Sequence, residues 1–450
     1  MQAVGDFLIV FNIETSKISV TLFLIFLGLL YWYSVRPFSV LSRCGIKHPK
    51  PVPFFGNLFM FQQVRYSVTK EDQNYLQHLL HFASNWDGVL VLTFVYYLGQ
   101  TPVIVVADPD ILRQVLVKDF SNFPNRNTFV FAKKPVSDCL LQLRNEQWKR
   151  VRSVLTPSFS ASKMKEVDSQ NNPGDPLVQH AQMAFINDFF KPVLLLFCEQ
   201  GDFLQLILDA RATEESVPLE HFDTSNDTDE IGGNNQETQP SGSMMTEDEI
   251  VGQAFVFLLA GYETSSNTLA FTCYLLALHP ERQLKVQKEV DDFYTRHDSP
   301  DYTNVQELKY LDMVICEALR LYPPGFREID HDCVVNGQQL PKGAILEIPA
   351  GFLHYDPEHW PEPEKFIPER FTPEAKASRH PFVYIPFGAG PRNCVEMRLA
   401  QLEIKLALMH LFHNFNITAC SRTEVPLELK SLSTLGPKNG VCVKISRRSK

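Results

Sequence analysis

A chain of 450 residues, 44% of them apolar, has the composition of a globular protein large enough for one extended core, and its formal net charge is -10. That negative balance, with no basic stripe against it, excludes nucleic acid as the partner. Nine cysteines, odd in number and without paired spacing, read as reduced thiols in a cytosol-facing body.

Residues 18–35, ISVTLFLIFLGLLYWYSV, are apolar, uncharged and long enough to cross a bilayer, with Trp32 and Tyr33 near one end. A cleaved signal peptide is the alternative. The length of the run, Asp6 and Glu14 ahead of it, and the lack of a small-residue cleavage pattern disfavour that alternative. Arg36, Arg43, Lys47 and Lys50 follow, so the positive-inside tendency places the large C-terminal body in the cytosol. The glycosylation sequons at Asn226 and Asn416 then go unused. Residues 36–57 form a hinge whose HPKPVPFFGN stretch (48–57) is stiff and extended.

Residues 58–100 are ambiguous, because FASNWDGVLVLTFVYYLGQ suits a strand or a buried helix. TPVIVVADPDILRQVL predicts a strand at Val103–Val106, a turn at Asp108-Pro109 and then a helix. In WKRVRSVLTPSF (148–159), Trp148 and Arg152 lie four apart and share a helix face. Taken alone, this helix could equally be a solvated basic surface. Residues 166–201 are thin, with MAFINDFFKPVLLLFCEQ as the one long apolar run, and 212–247 read as an acidic, aperiodic surface loop.

A long helix is predicted from Thr246, where TEDE supplies a cap and an acidic first turn, to a stop at Pro280. At its centre Ala260 and Gly261 are small, and Glu263 and Thr264 bring a carboxylate and a hydroxyl. A central glycine costs about 1 kcal/mol against alanine. A flat ligand against the backbone would offset that cost, as would a neighbouring helix at a small-residue notch. In YLDMVICEALRLYPP, Glu317 and Arg320 are three apart, ordinarily a weak surface pair, and FIPERF (366–371) adds Arg370. Last comes FGAGPRNCVEMRL (387–399), in which two glycines and a proline shape a turn ending at Cys394. An apolar run (Met397, Leu399, Ala400, Leu402, Leu406, Leu408) follows with helical spacing. Backbone N–H groups and a helix N-terminus beside the sulfur are expected to lower its pKa.

FxxGxRxC, preceded in order by WxxxR, AGYET, ExxR and PERF, resembles the haem–thiolate superfamily, the cytochromes P-450. The resemblance implies a mainly α fold with small β-sheets. A triangular helical body would hold haem b between the long distal helix and the cysteine loop, behind an N-terminal membrane anchor (1–35), with residues 58–450 as catalytic domain. It implies that Cys394 is the iron ligand, that Phe387 lies beside the cofactor, and that Arg392, Trp148, Arg152, Arg126 and Arg327 serve the propionates. Ala260, Gly261, Glu263 and Thr264 would face the reaction, and Glu317, Arg320 and Arg370 would brace the loop. Phe129, Phe131, Leu258 and Phe326 are the apolar residues expected to line a pocket.

GDFLQLILDAR (201–211), HYDPEHWPEPEKFIPERFTPEA (354–375) and STLGPKNGVCVKISRR (433–448) are similar to a branch of isomerases acting on a lipid endoperoxide. Membrane monooxygenases of drugs, steroids or fatty acids stand next, and only these need a reductase. A poorly catalytic or haem-free variant is the third reading. The resemblance further implies a monomer on the endoplasmic reticulum membrane, facing the cytosol. Three departures stand out. Thr264 is the oxygen-activating residue of monooxygenases, Glu396 replaces a glycine two residues after the cysteine, and GFREIDHDC (325–333) is short near Arg327. The lid-bearing stretch 166–201 is shortened as well.

Overall fold

The computed structural model describes residues 2–46, 48–59, 93–126, 133–159, 245–324, 327–330, 334–335, 338–339, 344–431 and 434–449. The described chain is mostly helical, with short strands in small sheets, and falls into two compact units. One comprises Met1–Val106 and Asp330–Glu347; the other comprises Ala107–Ile329 and Ile348–Lys450.

The first unit begins with helix α1 (Gln2–Val35). From Ile18 onward this is the one helix among the described residues long and apolar enough to cross a membrane, and its apolar side chains there are exposed. Strands β1 (Thr93–Leu98) and β2 (Thr101–Val106) form an antiparallel hairpin, with Leu98 opposite Thr101. The end of the ambiguous 58–100 stretch is therefore a strand; residues 60–92 lie outside the described residues. Tyr97, fully buried, ties the start of the chain to this hairpin: its hydroxyl donates to Phe38 O at 3.0 Å. The Tyr97 N–H also donates to Asn57 Oδ1 at 2.8 Å, and Asn57 N–H to Tyr97 O at 2.7 Å, pinning the end of the proline-rich segment.

The second unit carries the long helices α2 (Asn145–Leu155), α3 (Glu247–Leu278), α4 (Pro280–Arg296), α5 (Lys309–Leu321) and α6 (Met397–Asn414). The predicted turn at Asp108-Pro109 opens a short helix, Pro109–Arg113, with the Asp108 carboxylate accepting from Ile111 N–H at 2.9 Å. Helix α3 starts where TEDE predicted. Glu249 N–H donates to Thr246 Oγ1 at 3.2 Å, and the Glu249 carboxylate accepts from Thr246 N–H at 2.8 Å, a reciprocal cap. It ends at Leu278, and Pro280 begins α4, where a missing N–H is harmless.

Faces of α3, α4, α5 and α6 share one core, in which Phe271, Val286, Phe293, Leu311, Val314 and Leu408 are buried. A second cluster joins α2 to the start of α3 through Trp148, Val151, Leu155, Ile250 and Phe257. Asn416 lies in a strand (Phe415–Thr418), where its Oδ1 accepts from Gln287 at 2.8 Å, while Asn226 is outside the described residues. The stretches 166–201 and 212–244 are also outside them.

The cap of α3 makes a testable contribution. Thr246→Ala removes one partner of the reciprocal pair and should cost about 1 kcal/mol. Thermal unfolding in detergent should show a midpoint lowered by roughly 2 °C; an unchanged midpoint would mean the cap contributes nothing.

Candidate functional site

Helix α5 places Glu317 and Arg320 on one face, and both are fully buried. Arg320 donates from Nε to Glu317 Oε2 at 2.7 Å and from Nη2 to Oε1 at 2.8 Å, a bidentate pair. Two further guanidinium hydrogens reach His354 O at 2.8 Å and Lys365 O at 3.2 Å. Glu317 Oε1 also accepts from Ile367 N–H at 2.9 Å and lies 3.4 Å from Arg370 Nε. The three residues expected to form a network are therefore brought together.

The structure adds a fourth residue. The ring of His354, fully buried, accepts at Nε2 from Ile385 N–H at 3.1 Å, two residues before Phe387. Burial, then the nearby Arg320 charge, push this histidine down to about 3, which keeps it neutral and able to accept. His354 thus carries the network's position to the cysteine loop. No motif or residue spacing marks it in advance.

The loop is held from within and from outside. Cys394 N–H donates to Phe387 O at 2.8 Å, closing the turn, and Asn393 N–H donates to Gly390 O at 2.9 Å. Gly390 has φ of +71°, and a Cβ there would stand 2.0 Å from Leu116 O, so no side chain fits. Phe387 packs on the main core.

The Cys394 thiol does not have the lowered pKa expected of it. Burial, then the Glu396 carboxyl, raise it to about 11. The Glu396 N–H and the charges of Arg152 and Arg126 act the other way but are outweighed. Burial and Glu403 in turn hold Glu396 up at about 8, and burial holds Glu403 at about 7.

Three arginines converge beside the cysteine. Arg392, 2% exposed, donates to Leu143 O at 2.6 Å and lies 4.3 Å above the buried Trp148 ring. Arg152, from α2, donates to Asn393 O at 3.1 Å and Asn393 Oδ1 at 2.8 Å, and Arg126 donates to Arg392 O at 2.8 Å. Asn393 is thus a positioning residue that the motif leaves as an unspecified letter. Burial, then Arg126 and Arg152, push Arg392 down to about 9; burial chiefly pushes Arg152 down to about 10. Arg392 Nε and Nη1 and Arg126 Nε are buried without a hydrogen-bond acceptor.

On α3, Thr264 donates to Ala260 O at 2.7 Å, and Thr268 and Thr272 repeat that bond to the carbonyls four residues back. A Cβ on Gly261 would stand 3.8 Å from Glu396 Oε2, so the distal helix and the cysteine loop approach each other at this glycine. Glu263 shares this part of α3. Phe129, Phe131 and Phe326 lie outside the described residues, as do the side chains of Leu258 and Arg327.

The sequence model of the family described as Cytochrome P450 matches residues 46–178 and 205–443. The chain belongs to the cytochrome P450 family. Its match is interrupted at 179–204, which overlaps the stretch where the sequence is thin. The chain is 38% identical to thromboxane-A synthase of Rattus norvegicus over 549 residues, covering 100% of both chains. It is 39% identical to thromboxane-A synthase of Mus musculus over 550 residues, again covering 100% of both. It is 34% identical to cytochrome P450 3A41 of Mus musculus over 499 residues, covering 94% of this chain and 95% of that one. Alignments of that length against a chain of 450 residues mean that these relatives carry segments this one lacks.

Haem is the cofactor of a cytochrome P450, and the site's chemistry fits it. A cysteine supplies a soft ligand to iron. Buried guanidinium groups with orphaned N–H donors call for an anion, and the two haem carboxylates are such acceptors.

Glu317→Ala should cost about 3–5 kcal/mol, because it leaves Arg320 buried without its carboxylate. Lys365→Ala, which breaks the exposed Glu362–Lys365 pair, should stay within about 1 kcal/mol. Thermal unfolding of the two variants side by side checks the contrast, and equal losses would refute the buried pair's role.

Proposed function

We propose that this cytochrome P450 is a haem–thiolate isomerase that converts prostaglandin H2 to thromboxane A2, with a hydroxy fatty acid and malondialdehyde as by-products. The observation that carries this reading is the similarity to thromboxane-A synthases over the whole of both chains, at 38–39% identity. The similarity to cytochrome P450 3A41 is lower and covers slightly less of each chain.

Haem held by the Cys394 thiolate would supply one-electron chemistry at the endoperoxide O–O bond, giving one electron and regaining one, so that substrate and product keep the same atoms. The work left to the protein is orientation and exclusion of water. Arg126, Arg152, Arg392 and Trp148 hold the propionate edge, with Arg327 as a further propionate residue and Phe387 beside the cofactor. Glu317, Arg320 and Arg370, through His354, fix the loop on which Cys394 stands. Ala260 and Gly261 keep the distal helix flat enough for substrate to approach, with Glu263 and Thr264 one turn on. Helix α1 anchors the chain in the endoplasmic reticulum membrane, and the catalytic body faces the cytosol as a monomer.

Thr264 favours a second reading, a reductase-dependent monooxygenase, since a hydroxyl at this point of the distal helix suits oxygen activation. Incubation of the purified full chain with prostaglandin H2 and no NADPH separates the two. Thromboxane A2, trapped as its hydrolysis product, together with malondialdehyde is the expected outcome, and Cys394→Ala should abolish both. Turnover that appears only with NADPH and a reductase would establish the monooxygenase instead.

A further inference from the structure

Glu396 stands two residues after the cysteine, and the proposed reaction gives it no task. Its backbone is engaged on both sides, since its N–H points to the Cys394 sulfur and its carbonyl accepts from Ala400 N–H at 2.9 Å. Its side chain makes no capping bond to α6, although it stands at the N-cap position. Instead the carboxyl reaches across to the distal helix, with Oε2 3.8 Å from where a Cβ of Gly261 would be.

That distance is too short for a cofactor to share. Atoms in contact with a flat ring lie about 3.5 Å from its plane, so groups on its two faces are roughly 7 Å apart. The Gly261 Cα lies at most about 1.5 Å beyond that 3.8 Å point, so the gap from the carboxyl oxygen to the helix backbone is still too narrow for a ring to pass. One side must yield, and the backbone is poorly placed to do so. Gly390 is already against Leu116 O, the turn is closed by the Cys394–Phe387 bond, and α3 is capped and packed over 32 residues. The Glu396 side chain, with its staggered alternatives, is the part free to move.

We propose that the Glu396 side chain occupies the slot between the cysteine loop and Gly261 and gates haem binding, so that haem enters only when this side chain turns out. The protein's affinity for haem is reduced by the fraction of time the slot is open. A slot open one tenth of the time weakens apparent affinity about 10-fold. The inference rests on haem as cofactor and is independent of whether the substrate is prostaglandin H2.

The test compares the full-length chain with E396G, E396A and E396Q, each purified in detergent. Haem per protein is measured as the pyridine haemochromogen, and haem affinity is measured as the equilibrium partition of haem against apomyoglobin. E396G and E396A should carry more haem and hold it about 10-fold more tightly in that partition. E396Q, of equal volume, should match the parent chain. Two results would overturn the proposal: E396G and E396A both behaving as the parent does, or E396Q gaining as much as E396G, which would make charge rather than volume the cause. Helical circular dichroism identifies a misfolded variant, and E396G and E396A stand in for each other.

Discussion

The proximal side of this molecule depends on a carboxylate and a guanidinium that water does not reach. Moving two such ions out of water costs several kcal/mol each, and mutual attraction alone does not offset that. Here both ions are satisfied beyond each other: Arg320 reaches two backbone carbonyls as well as Glu317, and Glu317 accepts from the Ile367 amide with the Arg370 guanidinium 3.4 Å away. Those partners lie along residues 354–370, so the pair fixes a segment that has little regular structure of its own. His354 then hands the position on to Ile385. Its neutral ring is part of the device. Because the folded value lies far below the ordinary 6.5, the unfolded chain takes up the extra proton below that pH, and stability falls as the medium is acidified past it.

The site that this frame supports is electrostatically one-sided. Arg126, Arg152 and Arg392 are crowded enough that the neighbouring cations help depress both Arg152 and Arg392. Around the same loop, burial works in the opposite direction on the acids, holding Cys394, Glu396 and Glu403 towards their neutral forms. Loss of water is the largest cause of both shifts. Carboxylates arriving among the arginines restore their ordinary basicity, and a cation at the sulfur stabilises the thiolate.

Much of this was readable from spacing. Glu317 and Arg320 fall on one helix face, Trp148 and Arg152 on another, and TEDE marked the neighbourhood in which α3 starts. What spacing could not show are contacts made by the backbone at long range. Asn393 and His354 act through a carbonyl, an amide or a single ring nitrogen, and no periodicity announces them. The strand at 93–98 was equally hidden, since a continuous apolar run is decided by its partner, here β2. The thiol's pKa failed for another reason. Amides and a helix end were visible in the sequence, but the depth of burial that overrides them was not.

The distal helix shows how little a single side chain identity decides about chemistry. Thr264 is the residue that separates the isomerase and monooxygenase readings by type, yet its one hydroxyl hydrogen is committed to Ala260 O at 2.7 Å. Giving that hydrogen to anything else means breaking a bond with a net worth of about 1 kcal/mol, a small cost that either reaction could bear. An isomerisation that moves no proton has no need to break it, and the bond simply serves the helix, as it does at Thr268 and Thr272. A monooxygenase would need the hydroxyl turned towards bound oxygen and would also need electrons delivered from outside. The distinguishing quantity is therefore electron supply rather than the identity of residue 264, because the same hydroxyl in the same bond is compatible with both reactions.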